Sequence, residues 1–324
     1  MSPLKWLLSN QLKRSRVKQT NGGFTLIELL VGIILAFLVI TPLMGFMISI
    51  MDSDRKEQAK ANTEQDIKAA LDYIARDLQQ AVYIYDATGI AAIRSQLPKS
   101  STADEKNTFF PVLVFWKRQF IPGGLSVGSG ATLGTDDTFV YSLVAYYLIK
   151  DNDSTWSNAA RIGRFQISNG YGSSETDIDN TRDRGFQMFK LQDEGNLATK
   201  MNKWVKKSGE GYTQDILPLI DYVDQTTIDT TTNPAPTNCS TEKMVPQYSG
   251  TGDAVATNNV KTRGFYVCVD SNKTVAEVYL RGNALARIKS NNINFNQTIE
   301  FEWQKIYFPQ ASIRVQGIGL LFTQ

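Results

Sequence analysis

The sequence predicts an α+β fold in which one long N-terminal helix is joined to a domain of antiparallel β-strands. Residues 24–51 form an apolar run, and residues 67–85 carry apolar side chains at helical spacing. Beyond residue 86 the chain changes to short segments rich in β-branched and aromatic residues, separated by Gly, Asn and Asp. The 324 residues are enough for one anchoring helix and one globular domain.

Charge and composition narrow the classes of function. Residues 1–23 carry five basic residues and no acid; the whole chain has 34 basic and 32 acidic residues, so the part after residue 23 is net acidic. No basic patch remains to favour a nucleic-acid partner. The chain contains no histidine, which excludes Ser-His-Asp and Cys-His catalysis and the commonest zinc sites. We therefore expect a protein that is not an enzyme and holds no cofactor.

Residues 24–51 are predicted to cross a membrane as a helix. The stretch Leu29–Met51 contains 23 uncharged residues. A helix of that length spans about 35 Å, enough for the ~30 Å hydrocarbon core of a bilayer. Basic residues precede the run, and Asp52 and Asp54 follow it, which predicts a cytoplasmic N-terminus and an exported C-terminal part. A plain uncleaved anchor and a secretory signal are the alternatives, but the apolar core of a secretory signal is only about 7–15 residues long.

Glu28 is the one charged residue of the apolar run and lies one turn inside it. A carboxylate in a membrane-spanning helix costs about 2.5–3.5 kcal/mol at mid-membrane and less near the interface, so it requires a partner. Cleavage after Gly23 would create one, because it would leave a new α-amino group on Phe24. An amine–carboxylate pair between neighbouring helices would also set their axial register.

The segment from Gly22 to Val31 reads GGFTLIELLV. It resembles the cleavage and methylation motif of type IV prepilins and type II secretion pseudopilins. The resemblance implies that a prepilin peptidase cleaves between Gly23 and Phe24 and methylates the Phe24 amine. It also implies that Glu28 pairs with the N-terminus of an adjacent subunit during assembly. The implied partners are the peptidase, other pilins or pseudopilins in a filament, an inner-membrane assembly platform and membrane lipid.

This resemblance, together with the charge distribution and periodicity of the chain, predicts four regions and a location. The regions are a leader at 1–23 that is removed, a transmembrane part at 24–51, an amphipathic periplasmic continuation of the helix at 52–85, and a β-rich globular domain at 86–324. The cleaved protein is expected to cross the inner (cytoplasmic) membrane once, with its C-terminal domain in the periplasm. It is then expected in a periplasmic or extracellular filament.

Pro42 lies inside the predicted helix. Proline removes a backbone hydrogen bond and clashes with the preceding turn. We therefore predict a kink or a melted turn within residues 38–45 that helps helices to pack in the filament. A proline tolerated in the membrane without such a role is the alternative.

The helix is expected to continue to Tyr85 with one apolar stripe. We interpret this stripe as the face that packs on the globular domain, not as a cofactor site. It consists of Ile67, Leu71, Ile74, Leu78, Val82 and Tyr85. The segment 72–81 also resembles the helix end of the larger minor pilins and minor pseudopilins, mainly through Arg76-Asp77-Leu78 and Ala81.

Six strands are predicted after the helix, and one antiparallel sheet against the helix is the simplest arrangement. The strands cover residues 110–120, 138–149, 161–168, 264–270, 275–280 and 312–322. Residues 216–223 fit either a strand or a short helix. Loops are predicted where Gly, Ser, Asn and Thr dominate, at residues 121–135, 169–185 and 224–262.

The chain has two cysteines, Cys239 in the longest loop and Cys268 in a predicted strand. In an exported domain a disulfide is favoured over two free thiols. Closing that loop would contribute on the order of 3 kcal/mol in the chain-entropy model.

Two acidic runs could supply oxygen ligands for calcium: Asp151 with Asp153, and Asp177 with Asp179 and Asp183. Neither run has the Gly and the final Glu of an EF-hand loop, so we interpret them as solvated loop acids and expect no metal. The second run also matches the short phosphotransferase pattern D-x-D-x-T, but no buried strand leads into it.

The chain is therefore predicted to be a minor pseudopilin, a structural and assembly subunit of a type IV pilus-like or type II secretion-like filament. Residues 31–47 and 278–288 further resemble cyanobacterial hormogonium polysaccharide secretion pseudopilins, which implies polysaccharide export and gliding motility. The alternatives are a type II protein secretion pseudopilin, a membrane-anchored periplasmic enzyme, and a tip adhesin or ligand-binding minor pilin. Exposed Trp156 and Trp204 in polar surroundings would suit the adhesin.

Overall fold

The computed structural model describes most of the chain. The described residues are 23–128, 134–240, 243–257, 259–296 and 305–319. The predicted leader, apart from Gly23, and the last residues of the strand predicted at 312–322 lie outside these ranges. The chain divides into two compact units, Met1–Asp54 and Arg55–Gln324.

The first element is helix α1, which runs from Leu26 to Gln79. It passes through Pro42 without interruption, so the melted turn predicted within residues 38–45 is not present. A proline removes only one backbone hydrogen bond, and the bonds on either side hold the helical path. The Thr41 hydroxyl also donates to the Phe37 carbonyl at 2.7 Å. The kink and its role in helix packing stay predictions.

The end of α1 differs from the prediction, because the helix stops at Gln79 and not at Tyr85. Ala81–Ile84 instead form strand β1, in which all four residues are buried. The spacing of Leu78, Val82 and Tyr85 fits a helix, but this segment is rich in β-branched and aromatic residues and finds a partner strand. The four stripe residues that lie on α1 are buried, which confirms that part of the stripe as a packing face: Ile67, Leu71, Ile74 and Leu78. Val82 and Tyr85 are also buried, but they lie beyond the end of the helix.

Five antiparallel strands form the first sheet, in the order β1-β2-β3-β4-β5. The remaining four strands are β2 (Phe109–Val127), β3 (Gly134–Ile149), β4 (Ala160–Ser168) and β5 (Leu217–Val223). Strands β2 and β3 continue far into the region predicted as the loop 121–135, where they pair as far as Val127 and Gly134. A shift in register between Ile121 and Leu125 accommodates the intervening Pro-Gly-Gly, which sequence reading took as the end of the strand.

Four further antiparallel strands form a second sheet, in the order β6-β7-β8-β9, so the prediction of one sheet is wrong. They are β6 (Met244–Val245), β7 (Phe265–Asp270), β8 (Val275–Arg281) and β9 (Gln310–Gln316). The described part of the predicted loop 224–262 contributes only β6 to a sheet. Cys239 in this loop forms a disulfide with Cys268 on β7, and their Cα atoms lie 5.9 Å apart.

Short helices connect the strands. They are α2 (Ala87–Ile93), α3 (Ala103–Thr108), α4 (Glu175–Thr181) and α5 (Leu197–Asn202), with 3₁₀ turns at Arg94–Gln96, Ser271–Lys273 and Ala284–Arg287. Helix α4 lies in the region predicted as the loop 169–185. The Ser174 hydroxyl accepts a hydrogen bond from the Asp177 backbone N–H at 3.1 Å, so Ser174 is the N-cap of this helix. The polar composition of the segment led to the prediction of a loop instead.

The core of the Arg55–Gln324 unit joins the C-terminal part of α1 to both sheets. Burial of large apolar side chains is the main source of its stability. Trp116 on β2 is fully buried, and Phe186, Phe189 and Trp204 contact its ring edge to face. Trp204 is only 4% exposed, so the expectation that it is a surface residue suited to adhesion is wrong.

Candidate functional site

Helix α1 begins with a reciprocal pair of hydrogen bonds between Thr25 and Glu28. The Thr25 backbone N–H and hydroxyl donate to Glu28 Oε2 at 3.1 and 2.9 Å, and the Glu28 N–H donates to the Thr25 hydroxyl oxygen at 3.3 Å. This is a capping box, which satisfies backbone groups at a helix start. Glu28 therefore has a partner within its own chain, which sequence reasoning missed although the Thr-x-x-Glu pattern signals it.

The segment that follows the cap presents apolar side chains on every face. Every residue from Gly23 to Met51 is exposed, and Phe24 is exposed by 86%. Soluble monomers rarely expose contiguous apolar patches of more than a few hundred Å². Among the described residues, α1 is the one helix long and apolar enough to cross a membrane. A membrane anchor and a signal sequence both fit its length and composition.

Asp77, near the C-terminal end of α1, is the centre of a buried ionic network. Lys117 Nζ on β2 donates to Asp77 Oδ1 at 2.8 Å. Arg164 Nε on β4 and the Tyr146 hydroxyl on β3 donate to Asp77 Oδ2 at 2.7 and 2.6 Å. One carboxylate thus connects the helix to three neighbouring strands. The resemblance of Arg76-Asp77-Leu78 to minor pilins had pointed to this position without giving it a physical role.

This network makes the stability of the Arg55–Gln324 unit depend on pH. Burial alone would raise the pKa of Asp77, but the hydrogen bonds and charges of Arg164 and Lys117 outweigh it and hold the pKa below its ordinary value of 3.8. The ionised carboxylate therefore contributes stability above that value, and this contribution is lost as the pH falls through the lower folded-state pKa. We expect urea midpoints of wild type to fall below pH 4 more steeply than those of an Asp77→Asn variant. Parallel curves would contradict this assignment.

A second contact region holds α1 through the segment Gly282–Arg287. Arg287 Nε donates to the Thr63 hydroxyl oxygen at 2.9 Å, and Arg287 Nη2 pairs with Asp66. A Cβ atom on Gly282 would lie only 2.5 Å from Thr63 Cγ2 and 2.6 Å from Ile67 Cδ1, so glycine permits this close approach. The contact explains why a glycine stands between Arg281 and Asn283.

Arg281, the residue before this glycine, is 2% exposed and pairs with fully buried Asp224. Its Nε donates to Asp224 Oδ2 at 2.6 Å, and its Nη2 donates to Asn233 Oδ1 at 2.7 Å. Asp224 also accepts from the backbone N–H and hydroxyl of Thr226, at 2.9 and 2.6 Å. Asn233 belongs to the long predicted loop, so the pair fixes this loop against β8.

Three of the five acids considered for calcium have side-chain contacts with Arg161, Arg182 or Ser168. Arg161 forms a two-pronged ion pair with Asp151, with both distances 2.5 Å, and Arg182 Nη1 lies 2.6 Å from Asp179. Asp183 accepts the Ser168 backbone N–H at 2.7 Å. Within the described ranges, no group of three or more acids or cysteines is arranged to hold a metal ion. The D-x-D-x-T segment, Asp177–Thr181, lies entirely within α4, and no strand leads into it.

Comparisons of the chain with protein-family models, with curated proteins and with solved structures found no match.

Proposed function

We propose that this chain is a membrane-anchored subunit of a type IV pilin-like filament, produced by cleavage between Gly23 and Phe24. The observation that carries the proposal is the start of α1. A capping box between Thr25 and Glu28 directly follows the proposed cleavage site. After it, the uncharged stretch Leu29–Met51 is exposed along its whole length, as expected of a helix that is buried by lipid or by other helices.

The capping box gives the proposed cleavage a structural meaning. After the cut only Phe24 would precede the cap residue Thr25, so the mature chain would be helical almost from its first residue. Glu28 would be held one turn, about 5.4 Å, along the helix from that new terminus. A carboxylate held there can pair with the amino group of an adjacent subunit without unfolding its own helix.

The finer role that we propose is that of a minor pseudopilin in a filament for polysaccharide export and gliding motility. Support comes from the segment 278–288, whose resemblance to hormogonium polysaccharide secretion pseudopilins involves residues with definite contacts. Arg281 pairs with Asp224, Gly282 allows the close approach of α1, and Arg287 binds Thr63. A role in type II protein secretion is the alternative for the same kind of subunit.

The cleavage proposal is tested on the N-terminus of the mature protein. We expect membrane-extracted protein from its native cells to begin at N-methylated Phe24, as read by mass spectrometry of the N-terminal peptide. A Gly23→Val variant should keep the leader, because the residue before the cut is replaced by a β-branched one. A mature protein that retains residues 1–23, or that begins after Met51, would contradict the proposal.

The role of the Glu28 charge is separable from its role as a cap. In a Glu28→Gln variant the amide oxygen can still accept from Thr25, since Gln also serves in capping boxes. We expect this variant to insert in the membrane but to be lost from filaments, by at least about tenfold if its interaction with the amine is worth ~1.4 kcal/mol. Incorporation is measured by quantitative immunoblotting of sheared filaments. Glu57→Gln, which removes an exposed acid of the same helix, is the matched control and should leave incorporation unchanged.

Normal incorporation of the Glu28→Gln variant would show that Glu28 serves only to cap its own helix. In that case the register mechanism would be wrong, although cleavage at Gly23 could still occur. The N-terminal peptide and the incorporation assay therefore test the two parts of the proposal separately.

A further inference from the structure

A small cavity lies on the partly exposed face of the second sheet. On β8, Ala276, Val278 and Leu280 are buried, whereas Glu277 and Tyr279 between them are partly exposed. Because side chains alternate along a strand, Tyr279 and Arg281 share this second face. The cavity beside them has a volume of about 200 Å³. At ~30 Å³ per water it holds about seven water molecules, which suits one small ligand and not a folded partner.

Two arginines line the cavity. Arg263 and Arg281 both line it, and no acidic residue is among its lining residues. Arg281 is neutralised by Asp224, but its Nη1 has no hydrogen-bond partner within the described part of the chain although the residue is 2% exposed. A buried guanidinium N–H without an acceptor is unfavourable, so Arg281 keeps an unused donor in the wall residue next to Arg263.

Arg263, the other arginine of the cavity, forms no ion pair with a described residue. Its Nη1 donates to the Pro234 carbonyl at 3.3 Å, and no carboxylate of the described residues lies within ion-pair distance. Arginine presents a planar fork of N–H donors that matches the two oxygens of a carboxylate. The charge and the geometry of Arg263 therefore favour a ligand with a carboxylate group.

The remaining walls suit a sugar ring. Tyr266 and Tyr279 stack with ring centroids 4.7 Å apart and planes within 3°, and both line the cavity. Burial, followed by the neighbouring Glu277, raises the pKa of Tyr279 to about 12, so its hydroxyl stays neutral at physiological pH. Asn238 and Ser312 add amide and hydroxyl groups that can donate and accept hydrogen bonds. An aromatic surface beside a few convergent polar groups is typical of small-ligand sites.

We propose that this cavity binds one uronic acid unit, a sugar that carries a carboxylate, at the end of or within an acidic polysaccharide. The carboxylate pairs with Arg263, beside Arg281, while the sugar ring lies against Tyr279. Asn238 and Ser312 bind its hydroxyl groups. The proposal concerns residues of the Arg55–Gln324 unit alone and does not depend on cleavage at Gly23 or on filament assembly.

The test is isothermal titration calorimetry on the full chain in detergent micelles. The probes are D-glucuronate, D-glucose, acetate and N-acetylglutamate. We expect D-glucuronate to bind at least about tenfold more tightly than each of the other three. Arg263→Gln and Tyr279→Ala should each weaken D-glucuronate binding at least about tenfold. Arg314→Gln is the matched control, since Arg314 is an exposed arginine of the same sheet that does not line the cavity, and it should bind as wild type does.

Each other result would overturn the proposal. Absence of D-glucuronate binding to the wild type would exclude the site. If acetate or N-acetylglutamate bound as tightly as D-glucuronate, the cavity would be a general carboxylate site. If D-glucose bound as tightly, the charge of Arg263 would have no role in binding. Unchanged D-glucuronate binding by both Arg263→Gln and Tyr279→Ala would place the ligand elsewhere. Because Arg263 and Tyr279 are partly exposed, we expect both variants to fold, and near-ultraviolet circular dichroism like that of the wild type should verify this.

Discussion

An Asp77→Asn variant is expected to lose about 3–5 kcal/mol of unfolding free energy, because breaking a buried ion pair leaves an uncompensated charge. Asparagine keeps the size of the side chain but removes the charge between Lys117 and Arg164. The two cations, whose side chains are 8% and 17% exposed, would then face each other without a counter-ion. The measurement is urea unfolding of the full chain in detergent, followed by the fluorescence of buried Trp116.

The control for this prediction is Asp72→Asn, which changes an exposed acid of the same helix and should alter stability by less than about 0.5 kcal/mol. Adding Lys117→Met to Asp77→Asn should restore part of the loss, because it removes one of the two stranded charges. If Asp77→Asn were no more destabilising than Asp72→Asn, the network would contribute nothing to the attachment of α1.

The second large effect is expected for Arg281→Met, which would leave the fully buried carboxyl group of Asp224 without its ion-pair partner. We expect a loss of about 3–5 kcal/mol, measured by the same urea titration. The hydrogen bonds from Thr226 remain in this variant, but they donate to the other carboxylate oxygen, Oδ1, and do not replace the guanidinium.

A double variant separates the pair from the packing around it. Replacing both residues, as Arg281→Met with Asp224→Leu, removes both charges and should be less destabilising than Arg281→Met alone. Arg314→Met, at an exposed site of the same sheet, should change stability little. A double variant as unstable as the sum of the two single variants would show that the pair is not energetically coupled.

Local patterns in the sequence were enough to predict most of the secondary structure. The long α1, the central parts of β2, β3 and β4, and the strands β7 and β8 follow from periodicity and residue type. The apolar stripe of α1 was also recognised correctly as a packing face. Where prediction failed, as at Ala81–Ile84, helical and strand spacing were both compatible with the residues, and only the partner strand β2 decided between them.

The contacts that organise the candidate site were not predictable, because they join residues that are distant in sequence. Asp77 meets Lys117, Tyr146 and Arg164, and Asp224 meets Arg281. Such pairs depend on the register and order of strands, which a single sequence does not specify. The cap at the start of α1 is different, since Thr25 and Glu28 are local and form a recognisable pattern.

The two places where α1 is held differ in level along the helix. Thr63 contacts the segment after β8, and Asp77 contacts the first sheet. At 1.5 Å per residue these levels lie about 21 Å apart. A helix segment that is held at one level can tilt about that contact, whereas a segment that is held at two separated levels resists tilting and twisting. A mechanical load applied to the part of α1 between Thr63 and Asp77 would therefore be shared between a partly exposed ion pair with the segment after β8 and the buried ionic network of the first sheet.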